Sequence, residues 1–326
     1  MSTVSPSEPA KTGRRRFRLP LRFSLRAFLA AVTIFCIALA WQLHRAKLQR
    51  EAVAAIRAAG GWVHYDYQHP SYPTYQIDAA ARPWEPAWLL ALVGTDFFHD
   101  VTDVNMVYNE EGPQRLDNTR PPVDISPQLA RFPRLRSLAI SGDFLDDEGM
   151  RAVGRLKRLE TFYQWNGGAI GDDGAAYLHD MPRLRYIHLG NSRVGDRGMQ
   201  TLAKLPNLEG ISMQVNRVTD AGLAALAGHP KLKTLWIGSL NQMSPISDAG
   251  VVHLAKVPQL EELDLQFTRV TPEGLKPLQK LPNLKSLLLS GSTADNLPAV
   301  APLLPNCRID AKTPPPITAP PMQPAD

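Results

Sequence analysis

Cysteine is almost absent. Cys36 and Cys307 are the only two in 326 residues. Two thiols build neither a disulfide framework nor a four-ligand zinc site, so they say nothing about compartment. Catalytic signatures are missing too. The chain holds no GxSxG, Walker loop, HExxH, CxxC or GxGxxG, which leaves elbow-serine hydrolysis, P-loop chemistry, HExxH zinc hydrolysis and dinucleotide binding without support. Basic charge is scarce outside one short stretch. The net charge is +5, yet residues 1–26 alone contribute +6, with Lys11, Arg14, Arg15, Arg16, Arg18, Arg22 and Arg26 against Glu8, so the remainder sums to −1. A neutral body has no electrostatic footprint for nucleic acid. With 44% hydrophobic and 21% charged residues, the chain can bury a core, which excludes wholesale disorder.

One long apolar run is present. Between Arg26 and His44, the stretch Ala27 to Leu43 holds only Thr33 and Gln42 as polar residues. That is near the short limit for crossing a hydrocarbon core of about 30 Å. Phe23 and Leu25 extend it, Arg22 and Arg26 can snorkel, and Trp41 suits the headgroup level at the far end. A cleavable signal peptide competes with this reading through the triplet Ala38-Leu39-Ala40. A twin-arginine signal is disfavoured because two more arginines separate Arg14-Arg15-Arg16-Phe17 from the apolar run. Against cleavage, Gln42 to Ala59 continues without Gly or Pro, and Ala46, Val53, Ile56 and Ala59 recur near helical spacing. The simplest account is one helix from Phe23 to Ala59, with the lipid bilayer as partner of residues 23–44. Seven Lys/Arg precede the span, and only Arg45, Lys47 and Arg50 follow closely. Positive-inside bias then keeps the N-terminus cytoplasmic in a single pass and puts the body outside, periplasmic or extracellular.

Periodicity governs the rest. A Leu-x-x-Leu-x-Leu frame begins at Leu135, Leu159, Leu184, Leu208, Leu232, Leu260 and Leu284, at steps of 24, 25, 24, 24, 28 and 24. Representative units are PNLEGISMQVNRVTDAGLAALAGH (206–229) and PQLEELDLQFTRVTPEGLKPLQKL (258–281). In the first, Leu208, Ile211 and Met213 point inward from a strand, Val218 turns the chain, and Leu223 and Leu226 bury a helix. No single unit hides both faces of its apolar layer, but stacking does. These motifs resemble the leucine-rich repeat family over residues 98–310, in particular the cysteine-containing and ribonuclease-inhibitor-like repeats. The subclass cysteine is absent, its approximate place taken by Asp143, Ser192, Asn216, Thr268 and Ser292. The resemblance implies an α/β fold, a solenoid with concave strands and convex helices. Here it follows an N-terminal transmembrane helix.

The domain reading is a basic cytoplasmic leader (1–22), a transmembrane helix (23–44), a juxtamembrane helix with an N-terminal cap (45–97), the repeats (98–310) and a proline-rich disordered tail (311–326). Within the cap, Gly60-Gly61 ends the helix, Trp62–Tyr67 and Tyr75–Ile77 suggest a hairpin, and Pro83–Val93 suggests a helix with Trp84, Trp88 and Leu92 on one face. Val101, Val104 and Met106 fit a strand ahead of the first full unit, and Pro305–Ile309 a truncated last one. Extra residues fall at Asn109–Asp124 and Ser239–Pro245. Insertions in such arrays map to loops on one edge.

The aspartates Asp147, Asp172, Asp196, Asp220 and Asp248 recur once per unit. A lone carboxylate per turn reads as a helix cap rather than a calcium ligand, so no metal and no cofactor is implied. His179, His229 and His253 fall at helix ends, while His188 falls on the concave face. The residue between the second and third frame leucines gives the column Asn105, Ala139, Tyr163, His188, Ser212, Trp236, Asp264 and Leu288. Two residues on, the column is Ser141, Trp165, Gly190, Gln214, Gly238, Gln266 and Ser290. Together with Tyr186, the residues Tyr163, Trp165, His188 and Trp236 make an aromatic patch, bordered by the acidic pair Glu262 and Asp264. Such residues suit a protein-binding surface, so the expected partner is a protein or a cell-envelope ligand, bound without catalysis. Two alternatives remain: a secreted repeat binder released by cleavage, and an enzyme whose site would gather His64, Asp66, Asp96, His99 and Asp100 in segment 60–98.

Overall fold

The computed structural model describes residues 24–68, 78, 81–107, 124–142, 144–165, 168–239, 243–290 and 297–310. The leader, Tyr75–Ile77, nearly all of the Asn109–Asp124 insertion and the tail lie outside the described residues. The chain divides into two compact units, Met1–His44 and Arg45–Asp326.

Helix α1 runs unbroken from Leu25 to Ala58. It is the one helix among the described residues long and apolar enough to cross a membrane, by length and composition. Its early apolar side chains are exposed, Leu25, Phe28, Ile34, Phe35 and Ile37 among them. Its last turns instead bury Ala46, Gln49, Ala52, Val53 and Ile56, a single face at steps of three and four. The helix stops at Gly60, whose φ of 86° suits glycine.

Strand β1 spans Trp62–Tyr65, while the expected partner Tyr75–Ile77 lies outside the described residues. The strand pairs antiparallel with β2 (Val101–Met106). Every residue of β2 is buried, because β1 covers one edge and the first full repeat the other. Eight more strands follow in parallel: β3 (Ser137–Ser141), β4 (Thr161–Trp165), β5 (Tyr186–Leu189), β6 (Gly210–Ser212), β7 (Thr234–Trp236), β8 (Glu262–Asp264), β9 (Ser286–Leu288) and β10 (Arg308–Asp310). Sheet order equals chain order. The register stacks Leu138, Phe162, Ile187, Ile211, Leu235, Leu263 and Leu287 into one row, each at most 2% exposed. The leucine frame had placed this row, the leading strand and the truncated last strand.

The crossovers carry short helices. These are α2 (Ala87–Val93) in the cap, then α3 (Ser126–Leu129), α4 (Met150–Val153), α5 (Asp172–Ala176), α6 (Asp196–Leu202), α7 (Asp220–Ala224) and α8 (Asp248–Leu254), and a 3₁₀ helix, Glu273–Lys280, replaces the next. Both insertions fall between a strand and the following helix, one between β2 and α3, the other between β7 and α8. Parallel strands share that end, so the strand ends that lead into the two insertions lie on one edge of the sheet, while residues 109–123 and 240–242 lie outside the described residues.

The aspartate column is not a set of caps on each residue's own helix. Asp196 and Asp220 open α6 and α7, and their carboxylates reach into the next unit. Asp196 Oδ1 accepts from the Thr219 N–H at 2.8 Å while Oδ2 accepts the Thr219 hydroxyl at 2.7 Å. Asp220 holds the N–H and hydroxyl of Ser247 in the same way, and Asp248 those of Thr271. Asp147 and Asp172 each accept two glycine N–H groups, from Gly171 and Gly174 and from Gly195 and Gly198. Charge-assisted bonds of this kind are about twice as strong as neutral ones, so the column staples each turn to its successor. It also explains Gly222, where an added Cβ would stand 2.5 Å from Asp196 Oδ1.

Candidate protein-interaction surface

Alternation along each short strand sends one residue into the core and its neighbours to the concave face. The register joins Tyr163 to His188, His188 to Ser212, Ser212 to Trp236, and Trp236 to Asp264. Tyr186 and Glu262 share the adjacent row, through Gly210 and Thr234. The sheet thus brings all seven sequence-selected residues onto one face.

Their accessibility differs. The Tyr163 and Trp165 rings stack with centroids 5.3 Å apart, and Trp165 tilts over the His188 imidazole at 5.1 Å. Tyr163, Trp165, Tyr186 and Trp236 are half-buried and offer ring surface, and Glu262 is exposed. His188 is only 3% exposed and its Nδ1 meets Ser212 Oγ at 2.8 Å. Burial pushes its pKa down to about 4, so the imidazole is neutral. It supports the aromatic row from beneath.

Asp264 corrects the expected acidic border. It is 1% exposed, because the small residue at Gly238 leaves room for its carboxylate, which would lie 2.6 Å from a Cβ there. Gly190 gives His188 the same space. The charged border is instead built ahead of the strands. Arg185 Nε donates to Glu209 Oε1 at 2.8 Å, Lys233 Nζ lies 3.4 Å from Glu209 Oε2, and the Tyr186 hydroxyl approaches the same oxygen at 3.4 Å. The hydrogen bond from Arg185 holds the Glu209 carboxyl below its ordinary range. Column reading passed over Arg185 and Glu209 because neither belongs to an aromatic column. The recurrence of glycine at 190, 210 and 238 was the available signal that neighbouring side chains lie flat.

One oxygen of Asp264 and the indole N–H of Trp236 make no hydrogen bond, and both atoms are shielded from solvent. Desolvation raises the Asp264 pKa from 3.8 to about 6, against a lowering contribution from the Gln266 N–H. A folded pKa above the unfolded one means the folded state binds the proton more tightly. This carboxyl therefore erodes stability as pH rises from about 4 through about 6. Asp264→Asn is expected to raise unfolding free energy at pH 7.5, by up to about 3 kcal/mol. The gain should vanish below pH 4, as checked by urea unfolding across that range. A variant less stable than the parent at pH 7.5 would contradict this assignment.

The ionisable groups of segment 60–98 and its edge also meet, in the cap. His99 Nδ1 lies 2.7 Å from Asp66 Oδ1 and Nε2 lies 3.0 Å from Glu85 Oε2. Asp96 Oδ1 accepts from Gln49 and from the Tyr65 hydroxyl, each at 3.1 Å. Asp100 pairs with Arg45 at 2.6 Å and Arg134 at 3.0 Å. These groups are spent on one another. The His99 nitrogens face different carboxylates. Among the described residues, no three His, Cys, Asp or Glu side chains converge on one metal position.

Comparison with known proteins gives a Leucine Rich repeat family match at residues 258–278. No curated relative matches the chain. Among solved structures, an internalin C2 from Listeria monocytogenes str. 4b F2365 is 26% identical, with 50% of this chain and 64% of that one covered and a TM-score of 0.40. An internalin, inlF, from the same strain is 21% identical, with 57% and 63% covered and a TM-score of 0.38. The similarity spans less than two thirds of either internalin. The seven-unit frame, the parallel strands stacked in chain order and the matched unit describe a leucine-rich repeat solenoid.

Proposed function

We propose that this protein is a non-catalytic, membrane-anchored scaffold that presents its concave repeat sheet to a protein or cell-envelope partner outside the cytoplasm. The observation that carries the reading is the aromatic row. Tyr163 and Trp165 stack, Trp165 leans on His188, and Trp236 continues the row two strands beyond His188, all on a parallel sheet. Rigid aromatics on a rigid sheet lose little entropy on docking, and partly exposed Trp and Tyr are typical anchors of interfaces. The border of Arg185, Glu209 and Glu262 adds orientation and selectivity more than affinity.

Anchoring in a single pass through residues 23–44, with the basic leader inside, rests on the exposed apolar length of α1 and on the charge bias. Its unbroken course from Leu25 to Ala58 favours retention of the segment over cleavage after Ala40. The test is capture of partners from solubilised membranes by the full chain and by a Trp165→Ala, Trp236→Ala variant. Loss of a specific partner by the variant supports the reading. Equal recovery of every partner refutes it.

A further inference from the structure

Large exposed apolar side chains are scattered singly on most proteins. Here they are not scattered. Among the described residues outside α1, Trp84, Trp88, Leu92, Met243 and Val252 are the large exposed ones, and three of these five lie within nine consecutive positions. Trp84 is 82%, Trp88 69% and Leu92 75% exposed. Trp88 and Leu92 stand one turn apart on α2, and Trp84 lies just before it. Burial of a Trp or Leu side chain is worth roughly 2–3 kcal/mol, so leaving all three in water is costly unless something covers them.

The cap fixes where this segment sits. At one end, Glu85 is held by His99, whose carbonyl accepts from Gln49 Nε2 at 2.8 Å. At the other end, the Val93 carbonyl accepts from Arg50 Nη2 at 2.7 Å. The segment is thus tied at both ends to the level of Gln49 and Arg50 on α1. Those residues follow Leu43, the last of the apolar run, by six and seven positions, about 10 Å of helical rise. That is the depth of a headgroup layer and the reach of a side chain. Arg82, exposed, adds a cationic group to the same region, where Lys47 pairs with Glu51 and Arg50 with Asp96.

We propose that Trp84, Trp88 and Leu92 form an interfacial wedge that inserts into the outer headgroup–acyl boundary of the membrane. The proposal rests on the anchored reading above. Indoles prefer that boundary, with an apolar ring and a polar N–H, and Arg82, two residues before Trp84, supplies a cation for lipid phosphates. The wedge gives the Arg45–Asp326 unit its own attachment to lipid. A protein cover, or residues of this chain outside those described, would leave the cluster away from lipid, and the experiment separates these outcomes.

The full chain, with Cys36→Ala and Cys307→Ser, is placed in phosphatidylcholine–phosphatidylglycerol nanodiscs carrying lipid-attached spin quenchers. An environment-sensitive fluorophore is attached to Leu92→Cys, to Val32→Cys within the apolar run, or to Gln279→Cys on the 3₁₀ helix. Leu92→Cys leaves both tryptophans in place. The expected result is that the label at 92 loses most of its emission to a quencher near the top of the acyl chain. The label at 32 loses it to a quencher near the chain end, and the label at 279 to neither. Quenching at 32 without quenching at 92 overturns the wedge and leaves the anchor standing. Quenching at neither position overturns both. Loss of the signal at 92 on adding Trp84→Ala and Trp88→Ala, with the signal at 32 unchanged, assigns the insertion to the cluster. Persistence of the 92 signal in that variant overturns the assignment.

Discussion

Trp165→Ala combined with Trp236→Ala is expected to weaken partner binding by roughly three orders of magnitude while the solenoid still folds. Each indole is half-buried on the concave face and outside the buried leucine row, so truncation opens no core cavity. Trp165 loses its stack on Tyr163 and its contact with His188, a modest cost of about 1 kcal/mol. At an interface, a central tryptophan is commonly worth 2 kcal/mol or more. The two stand on β4 and β7, three strands apart, or about 14 Å at the usual interstrand spacing. At that distance their effects should add, giving about 4 kcal/mol and hence a thousandfold change. Titration by surface-immobilised capture measures it, with Trp84→Phe, outside the row, as the control. A change below tenfold in the double variant would remove the aromatic row from the interface.

His99→Ala should be the most damaging single substitution in the cap, at about 3–5 kcal/mol of stability. The ring is 6% exposed and stands between the carboxylates of Asp66 and Glu85. Removing the ring strands the buried Glu85 carboxylate without a donor and strips the edge contact with Tyr67, whose ring centroid is 4.6 Å away. Urea unfolding in detergent reads the loss, and His179→Ala, at an exposed helix end, should stay within about 0.5 kcal/mol of the parent. Adding Glu85→Gln to His99→Ala should recover part of the loss, because the stranded group is then neutral. No recovery would point to packing rather than charge as the cause.

The repeating side of this molecule was legible because apolar periodicity dictates it. One leucine per 24 or so residues fixes the register, and the columns Tyr163–His188–Ser212–Trp236–Asp264 follow from counting. Solvent exposure did not follow from counting. His188 and Asp264 occupy concave positions yet are buried, since Gly190 and Gly238 let them lie flat. A column read one residue at a time misses what its neighbours leave empty. The aspartates show the same limit. Residue type and a place at a helix start suggest a local cap, but the carboxylates bond a turn of chain about two dozen residues later. Only stacking makes that contact, so no local signal encodes it.

The cap was the least legible part. It lies outside the repeat, and its pairing of β1 with β2 joins residues about forty apart. Its polar core gathers Gln49, Asp66, Glu85, Asp96, His99 and Asp100 from four separate stretches of chain. Histidine and acid positions near one another in sequence hinted at convergence. They did not reveal which groups pair, and the distances place His99 between Asp66 and Glu85 and Asp100 between Arg45 and Arg134.

The central claim is that the concave aromatic sheet is the face this protein offers to its partner. The most direct measurement is site-specific photo-crosslinking in intact membranes, with a benzophenone side chain introduced at Tyr163 on the concave face or at Gln279 on the 3₁₀ helix of the opposite face. The account predicts one discrete adduct from position 163, lost when Trp236→Ala is added, and none from position 279. An adduct from 279 alone, or equal yields from both positions, would contradict it.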